Sequence, residues 1–581
     1  MTNPLHLGAL ILIPVLMFAL ADPASAKGPL VVNPDGKPES KMLFWLESSL
    51  KRVYPTSKPG RNQTLVIPAA RNSKVSFQAC VRNERSAALN VECATTNGVE
   101  GGYVQIRRVG YVPMRFCTTG VPRAEIDGAD HVPGYVPDPL FPDRRADIGP
   151  YENASFWVTV TIPAEAKLGP RKMIIQYSFG TEPSQKAELS VTIEVKEFTI
   201  QKRHDFPVIH WWRGECIWDY YKTGMAEDER WWTLTRKYID NMIEHGTNSV
   251  YVPVFFFRRE TFERPCQLLK VTEPEPGKYE FDWTDVRRFV KLARDAGTEH
   301  YEWSAFWIYW GAKNPLRVYK WVDGKAVMLW PPDADGHGPM FHNFLKQFLP
   351  EFHKFLLSEG ILEQSFFHVS DEPGEGESLV NYKKARDFLA ENAPWMKGKV
   401  IDALSSIEYG RQHLTDIPIP IINTAKSYID EKIPHWVYFC CEPRGSYLQR
   451  LLDTPLPKVR MSGWLFYRLG AKGFLHWGYN YWHVLEQEKL IDPFNDATAA
   501  LWPMIPSGDP FVVYPGIDGP IDSIRWEIFA ESLQDYAILQ TAGVSPDDPM
   551  LAGIKDYADF PKSEAWINKA LKKILDGEAP R

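Results

Sequence analysis

Two adjacent carboxylates, Asp371 and Glu372, stand directly after the largely apolar run 365–370 and directly before Pro373. The run predicts a buried strand. Pro373 cannot donate a ladder hydrogen bond and biases Glu372 towards an extended backbone, so the strand is expected to end here. Because neighbouring side chains of a strand point to opposite faces, both carboxylates can serve one site only if the chain turns between them. The alternative is a solvated junction between strand and loop.

The chemistry that such a pair could do is acid–base catalysis on a glycosidic bond. That reaction needs a proton delivered to the leaving oxygen and stabilisation of positive charge at the anomeric carbon. Adjacent carboxylates suit a substrate that supplies its own nucleophile, the carbonyl oxygen of a 2-acetamido group. In this hypothesis Asp371 holds the acetamido N–H, and Glu372 protonates the leaving group and later deprotonates water.

Composition narrows the class of protein. A chain of 581 residues is too long for one ordinary core and predicts two or more domains. The formal net charge is −7 and no run of Lys or Arg occurs, which argues against a nucleic-acid partner. The 21 Trp residues offer flat apolar faces that suit a sugar ring, although an aromatic-rich core explains some of them. No Cys or His spacing indicates a metal site, and we expect no cofactor.

The first 26 residues predict a cleaved signal peptide. An apolar run spans residues 6–20, and the small-residue pattern Ala24-Ser25-Ala26 precedes Lys27. Residues 27–40 are rich in Pro, Gly and Lys and predict a loose leader. No later run of about 20 apolar residues occurs, so no membrane span is expected. The mature protein is therefore expected to be secreted or periplasmic.

Residues 41–202 have the pattern of an antiparallel β-sandwich. Short alternating runs recur at 63–67, 76–81, 155–162, 172–177 and 188–195, separated by turn residues. No carboxylate constellation stands out in this segment. We interpret it as a supporting domain that packs on the next one, with carbohydrate binding as the alternative.

Residues 203–545 alternate between strand and helix. Helical periodicity is found at 228–245, 283–296, 339–358, 378–393 and 523–541, with a helical region at 447–471. Eight strands in this alternation predict a (β/α)8 TIM barrel whose fourth strand carries the carboxylate pair. The fold class is thus multidomain α+β, an N-terminal antiparallel β-sandwich followed by a (β/α)8 barrel. Residues 546–581 are expected to form a C-terminal helical extension.

A barrel binds its ligands at the C-terminal ends of its strands, where aromatic and polar residues gather in this sequence. For any single Trp among them, packing in the core is about as good an interpretation as contact with a ligand. The predicted substrate-binding residues are His210, Trp212, Trp303, Trp307, Tyr438, Trp477, Tyr479 and Asn480.

Seven cysteines are present, and an exported protein can form disulfides. The odd number leaves at least one unpaired or buried as a small hydrophobe. Cys440 and Cys441 are adjacent, and we expect them to alternate on a strand, one inward and one outward.

The order of these segments, with Asp371 and Glu372 on the fourth strand, resembles glycoside hydrolase family 123. The C-terminal run 506–516, with the segments 523–527 and 533–536 after it, is similar to the tail of that family and its wider relatives. The resemblance covers about residues 40 to 545. It implies exo-acting β-N-acetylgalactosaminidase activity with retention, Asp371 stabilising an oxazolinium ion and Glu372 acting as acid and base. Within the tail, Arg525 is expected to pair with Glu527 or Asp535 in a structural role, with contact at the edge of the substrate as the alternative.

Two other functions remain open. In a double-displacement glycosidase, Glu372 would be the acid–base residue and Glu442, which also precedes a proline, the nucleophile about 5–5.5 Å away. In a glycan-binding protein without activity, neither carboxylate would react. The identity of the sugar, the linkage and the oligomeric state are not determined by the sequence, because galacto and gluco substrates differ in contacts to one hydroxyl.

Overall fold

The computed structural model describes residues 42–95, 98–179 and 185–578. The predicted signal peptide (1–26) and the predicted leader (27–40) lie outside the described residues. Within the described part of the chain, no helix combines the length and the apolar character that crossing a bilayer requires.

The N-terminal region contains two five-stranded sheets. Their orders are β1-β3-β8-β5-β6 and β2-β10-β9-β4-β7. All pairs are antiparallel except β2 with β10, which run parallel. The strands are β1 (Met42–Ser48), β2 (Thr64–Arg71), β3 (Ser73–Asn83), β4 (Leu89–Thr95), β5 (Tyr103–Met114), β6 (Gly134–Phe141), β7 (Arg145–Ile148), β8 (Asn153–Ile162), β9 (Gly169–Phe179) and β10 (Lys186–Thr199).

Alternation along these strands explains why the sheets face one another. In β9, Met173, Ile175, Tyr177 and Phe179 are buried and the residues between them are partly exposed. This period of two places one row of apolar side chains on one face, where it joins the core of the region.

The C-terminal region mixes strands and helices, as the alternating pattern predicts. Its strands are β11 (Val208–His210), β12 (Ser249–Val252), β13 (Lys270–Glu275), β14 (Lys278–Asp282), β15 (His300–Trp303), β16 (Tyr319–Val322), β17 (Lys325–Met328), β18 (Ser365–Phe366), β19 (Ile401–Leu404), β20 (Ile417–Pro420), β21 (Val437–Tyr438), β22 (Phe474–His476), β23 (Val513–Pro515) and β24 (Pro520–Asp522). Its helices are α1 (Gly214–Tyr221), α2 (Glu229–Glu244), α3 (Thr284–Ala296), α4 (Pro339–Glu359), α5 (Glu377–Asn392), α6 (Glu408–Arg411), α7 (Ala425–Asp430), α8 (Leu456–Arg460), α9 (Ser462–Arg468), α10 (Ile524–Ala542) and α11 (Glu564–Leu575).

The longer helices follow their sequence signals closely. Helix α2 begins after Asp228, whose side chain accepts a hydrogen bond from the backbone of Arg230, and ends before Gly246, whose φ is +86°. Helix α10 begins after Ser523, which caps the N–H of Trp526. The helical region expected at 447–471 instead contains two short helices, α8 and α9.

Parallel strands form the centre of this region. Six of them are ordered β18-β15-β12-β11-β22-β21, and β19 pairs with β20 in a separate two-stranded sheet. Single bridges, Phe367 to Val400 and Ile421 to Tyr438, link the ends of the six-stranded sheet to this pair. All of these pairings are parallel, so the C-terminal ends of the strands lie on one side.

A buried ion pair joins the two regions. Arg525 at the start of α10 contacts Asp138 of β6 at 3.0 Å, and both side chains are completely buried. Arg525 therefore does not pair with Glu527 or Asp535, the partners expected from the sequence. The actual partner is 387 residues away along the chain, so proximity in sequence could not reveal it.

Glu527 and Asp535 have other partners. Arg107 of β5 contacts Asp522 at 2.6 Å and Glu527 at 2.7 Å, a second ionic link between the regions. Asp535 pairs with Arg460 of α8 at 2.6 Å, inside the C-terminal region.

A third link between the regions depends on Asp453. Its carboxylate accepts the backbone N–H groups of Thr118 at 2.5 Å and Thr119 at 3.0 Å, and also the hydroxyl of Thr118 at 3.1 Å. All three donors are buried. A buried donor that loses its acceptor costs more free energy than the hydrogen bond contributed.

Replacing Asp453 with Ala should therefore lower the free energy of unfolding by about 2–4 kcal/mol. The measurement is urea denaturation followed by far-UV circular dichroism. Asp547→Ala is the matched control, because Asp547 pairs with Arg468 on the surface with its side chain 89% exposed, and no measurable change is expected. Equal stability of the two variants would contradict a role of Asp453 in joining the regions.

Candidate active site

The chain turns between the two carboxylates. Strand β18 covers only Ser365–Phe366, and Glu372 lies in the left-handed region with a φ of +44°. The extended backbone expected at Glu372 is therefore wrong. Two hydrogen bonds hold this uncommon conformation: the N–H of Glu372 donates to the carbonyl of Ala403, and the carbonyl of Asp371 accepts from the N–H of Trp310, both at 2.9 Å. The turn lets adjacent side chains face one space.

Asp371 and Glu372 both line a cavity of about 320 Å³. Larger cavities lie along the N-terminal region and at its boundary with α10 and α11, but none of these contains the pair. Aromatic side chains wall much of the cavity, as is usual where a protein binds a small polar molecule with an apolar face. They include Trp211, Phe257, Tyr309, Trp310, Tyr438, Trp477 and Tyr481.

Both oxygens of Glu372 accept hydrogen bonds. The hydroxyl of Tyr438 donates to Oε1 at 2.8 Å, and the indole N–H of Trp310 donates to Oε2 at 3.2 Å. Tyr438 is buried, whereas Trp310 is 53% exposed. The carboxylate is thus held in one orientation between a rigid donor below and an accessible aromatic ring at the cavity mouth.

The surroundings of Asp371 differ from those of Glu372. Burial and the neighbouring charge of Glu372 raise the pKa of Asp371 well above its ordinary value, and the positive charge of His368 opposes this only in part. Among the described residues, none donates a hydrogen bond to its side chain. Asp371 is therefore a carboxyl group whose charge is poorly compensated until a donor or a cation arrives beside it.

A buried network lies beneath the pair. His368 contacts Glu302 at 2.5 Å through Nε2 and Asp402 at 3.0 Å through Nδ1. Burial alone would lower the pKa of His368, but the two carboxylates raise it to about 10, so the ring is charged and both nitrogens donate. Asp402 also accepts the N–H groups of Val369 and Ser370, which immediately precede the pair.

The same network reaches the cavity wall. Glu302 accepts the indole N–H of Trp211 at 2.8 Å, and Trp211 lines the cavity. The hydroxyl of Tyr382 donates to Asp402 at 2.6 Å. Backbone and wall are thus fixed from below by charged groups that do not face the cavity themselves.

Glu442 also lines the cavity, but its surroundings differ. Its side chain is 62% exposed and pairs with Arg444 at 3.0 Å. An exposed carboxylate that shares its charge with an arginine is a weaker nucleophile than a desolvated one.

Four of the predicted site residues meet in the cavity. They are Asp371, Glu372, Tyr438 and Trp477. Six are placed elsewhere, buried in the core and absent from the cavity lining: His210, Trp212, Trp303, Trp307, Tyr479 and Asn480.

The buried six are held in the core by packing or by hydrogen bonds, and only the indole N–H of Trp212 has no hydrogen-bond partner among the described residues. Trp303 donates to Ser365 at 2.9 Å and Trp307 to the carbonyl of Gly336 at 2.8 Å. His210 contacts Thr247 at 3.0 Å.

The other three follow the same rule. The hydroxyl of Tyr479 bonds to Asn241 at 2.9 Å, and Asn480 exchanges hydrogen bonds with the backbone of Arg213. Trp212 packs against other rings, whereas its neighbour Trp211 faces the cavity. Both Trp residues lie just beyond β11, where the path of the chain sends one ring to the cavity and the other into the core.

Sequence reasoning missed Trp211, Trp310 and Glu486 as cavity residues. Trp310 belongs to the insertion after the third strand, and the Trp, Pro and Gly content of that insertion was its only sequence signal. Glu486 shares a hydrogen bond with Glu260, and this contact together with burial raises the pKa of Glu260 to about 7. The two carboxyls lie in loops that are far apart in the sequence, so no local pattern predicts that they pair.

All seven cysteines are free. Cys440 and Cys441 both line the cavity, so the expectation that one points inward and the other outward is wrong. The chain has left strand β21 at Tyr438, and beyond a strand the alternation of side chains no longer holds.

One cluster has the residue types of a metal site. His245, Asp522 and Glu527 bring three ligand atoms within 4.8 Å of one another. The guanidinium of Arg107 already contacts both carboxylates there. The two carboxylates are thus already paired with Arg107 and His245, and the cluster lies away from the cavity.

A partly buried carboxyl pair in an aromatic cavity, at the C-terminal ends of parallel strands, defines a hydrolase that acts on glycosides. Residues 211–542 match the model of the glycoside hydrolase 123 catalytic domain. The match spans more than half of the chain, so the chain belongs to glycoside hydrolase family 123.

The fold is shared with a solved structure. A family 123 glycoside hydrolase from Clostridium perfringens, studied for glycolipid glycan hydrolysis, is 15% identical with a TM-score of 0.70, over 92% of this chain and 98% of that chain. A GH5 xyloglucanase of Bacteroides ovatus, in complex with a heptasaccharide, is 10% identical with a TM-score of 0.30, over 82% and 98%, a likeness too low to support an argument. No curated protein matches the chain.

The environment of Asp371 predicts that the native residue costs stability. Its pKa is higher folded than unfolded, so the penalty is absent below the unfolded pKa of about 4, where both states are protonated. The penalty grows as pH rises above that value, because the unfolded-state carboxyl ionises while the folded-state carboxyl keeps its proton. Asp371→Asn should therefore raise the Tm at pH 7, and this gain should disappear near pH 3.5.

Thermal unfolding at both pH values, followed by circular dichroism, measures this difference. Asp387→Asn is a control on the exposed face of α5, expected to leave the Tm unchanged at both pH values. If Asp371→Asn lowered the Tm at pH 7, the carboxyl would have to be well compensated in the folded state, against the geometry described above.

Proposed function

We propose that this protein is an exported, retaining exo-glycoside hydrolase that removes β-linked N-acetylgalactosamine, or a related 2-acetamido sugar, by substrate-assisted catalysis. The observation that carries the proposal is the turn at Glu372, which brings two adjacent carboxyls into one aromatic cavity. With the acid and its neighbour side by side, the nucleophile has to come from elsewhere, and a 2-acetamido carbonyl oxygen supplies it.

Asp371 fits the role of acetamido partner. Its carboxyl receives no hydrogen bond from a described residue and is poorly compensated for charge. An acetamido N–H would supply the missing donor, and the positive charge of the oxazolinium ion would stabilise the carboxylate further. Because this interaction is strongest when the ring has closed, it favours the transition state over the bound substrate.

Glu372 fits the role of acid and base. Tyr438 and Trp310 orient its two oxygens, so proton delivery costs little reorganisation at the moment of reaction. In the first step Glu372 would protonate the leaving oxygen. In the second it would take a proton from the water that opens the oxazolinium ring, which gives net retention.

We infer further that the eight parallel strands β11, β12, β15, β18, β19, β20, β21 and β22 act as a closed (β/α)8 barrel. The two single bridges give each strand a neighbour on both sides, which supports closure. Export is proposed from the sequence pattern of residues 6–26 alone.

Paired aryl substrates test the sugar and the mechanism together. We expect hydrolysis of an aryl 2-acetamido-2-deoxy-β-galactoside and loss of activity when the acetamido group is replaced by a hydroxyl. Tight inhibition by a thiazoline analogue of the oxazolinium ion is the second expected result. Activity on both substrates together with indifference to the thiazoline would contradict substrate assistance.

Glu372→Gln should lower kcat by roughly 10²–10⁴, because the leaving oxygen is no longer protonated. The loss should be smallest for aryl groups that leave readily as anions. Glu442→Gln is the matched control: it keeps activity if the acetamido group is the nucleophile and abolishes it under double displacement. Unchanged turnover of Glu372→Gln would instead support a glycan-binding protein.

A further inference from the structure

A buried carboxylate, Asp509, stands behind one wall of the cavity. It is 2% exposed and does not line the cavity itself. Its Oδ2 accepts the indole N–H of Trp477 at 2.7 Å and the thiol of Cys441 at 3.3 Å. Trp477 and Cys441 do line the cavity. Asp509 thus touches two wall side chains from the side opposite the substrate.

The other oxygen of Asp509 faces the preceding residue of the same wall. Nε2 of His476 lies 3.5 Å from Oδ1. Burial, with Arg450 nearby, lowers the pKa of His476 to about 4, so the ring is neutral. Nδ1 accepts the N–H of Gly478 at 2.9 Å, which leaves the ring proton on Nε2, directed at Asp509. Asp509 therefore holds Trp477 by a hydrogen bond and lies beside His476, while its Oδ1 has no hydrogen-bond partner among the described residues.

The loop that carries Asp509 is itself held by Arg525. The guanidinium donates to the carbonyl oxygens of Gly508 at 2.7 Å and Phe511 at 3.1 Å, on either side of Asp509. Burial alone would lower the pKa of Arg525, but its pairing with Asp138 raises it, so the charge persists. The contacts therefore run without a break from strand β6 of the N-terminal region to the cavity wall.

Two glycines make this packing possible. Gly508 has a φ of +89°, and a Cβ there would press on the guanidinium of Arg525. A Cβ on Gly478 would overlap the backbone carbonyl of Asp509. Both glycines flank the carboxylate, and their lack of a side chain lets the two loops approach closely enough for the hydrogen bond to Trp477.

We propose that Asp509 is a positioning residue that fixes the indole of Trp477 for sugar binding, and that Asp138 and Arg525 hold Asp509 in place. This rests on the proposed function, since the sugar is the ligand of the same cavity. A flat indole binds the C–H face of a sugar only in one orientation, so a freed ring weakens binding more than chemistry. The N-terminal sheets thereby take part in substrate binding.

A double-mutant cycle on the full-length enzyme tests the contact. Trp477→Phe keeps an aromatic face but removes the N–H donor, and Asp509→Ala removes the acceptor. Each should raise KM about 5–10-fold with kcat within about twofold. The double variant should be no worse than Asp509→Ala alone, because one interaction has been removed twice. Asp509→Asn, which keeps an acceptor oxygen, should restore part of the affinity. The proposal would be overturned if the KM increases of the two single variants multiplied in the double variant. It would also be overturned if neither single variant changed KM.

A matched pair of variants tests the link from the N-terminal region to Asp509. Asp138→Asn and Asp522→Asn each weaken an ion pair between the regions, but only the first touches the Asp509 loop. Asp138→Asn should raise KM, and Asp522→Asn should leave it within twofold while lowering the Tm comparably. Equal effects on KM would overturn the domain link. If Asp138→Asn does not fold, Asp138→Glu takes its place.

Calorimetry with free 2-acetamido-2-deoxygalactose measures the affinity of the cavity for the sugar without turnover. If the wild-type enzyme hydrolyses no 2-acetamido sugar, the proposed function fails. If it does so and the Asp509 and Trp477 variants bind the sugar as tightly as the wild type, only the positioning proposal fails.

Discussion

The charge on Asp371 and Glu372 is the constraint on which the rest of the site depends. Two adjacent carboxyls in a partly buried cavity repel one another and lose hydration, so the surrounding structure has to compensate for both. It does so unequally: Glu372 receives donors from Tyr438 and Trp310, whereas Asp371 receives none from the described residues. This asymmetry separates two chemically similar groups into an acid–base residue and a group that waits for a positive partner.

The charged layer beneath the pair serves the same constraint. His368 lies between Glu302 and Asp402 and stays protonated because both carboxylates face it. Asp402 in turn holds the backbone just before Asp371. Such a network is costly to bury unless its members have partners, and here the one imidazolium faces both carboxylates while Asp402 also accepts hydrogen bonds from Tyr382 and from the backbone of Val369 and Ser370. These hydrogen bonds hold the backbone that leads into the turn.

The two regions of the chain form one functional arrangement. Arg525, Arg107 and Asp453 each reach across the boundary, and none of their partners lies near in sequence. At 15% identity the Clostridium perfringens enzyme retains the fold over nearly its whole length, so most side chains can change while the arrangement persists. The substrate does not follow from that likeness, because specificity depends on loops around the cavity.

The sequence by itself determined the family, the β-rich pattern of the N-terminal region, the alternating strand and helix pattern of the C-terminal region, the longer helices and the acidic pair. These follow from local signals: the period of the apolar residues, the capping residues and an apolar run that ends in Asp371-Glu372-Pro373. Only the tertiary structure decided which strand-end residues face the cavity. Trp211 rather than Trp212 does so, because both residues follow the end of β11 and the path of the chain there, set by tertiary contacts, decides which ring faces the cavity. Trp310, Asp509 and the Asp138–Arg525 pair likewise depend on contacts between distant segments, which no local pattern encodes.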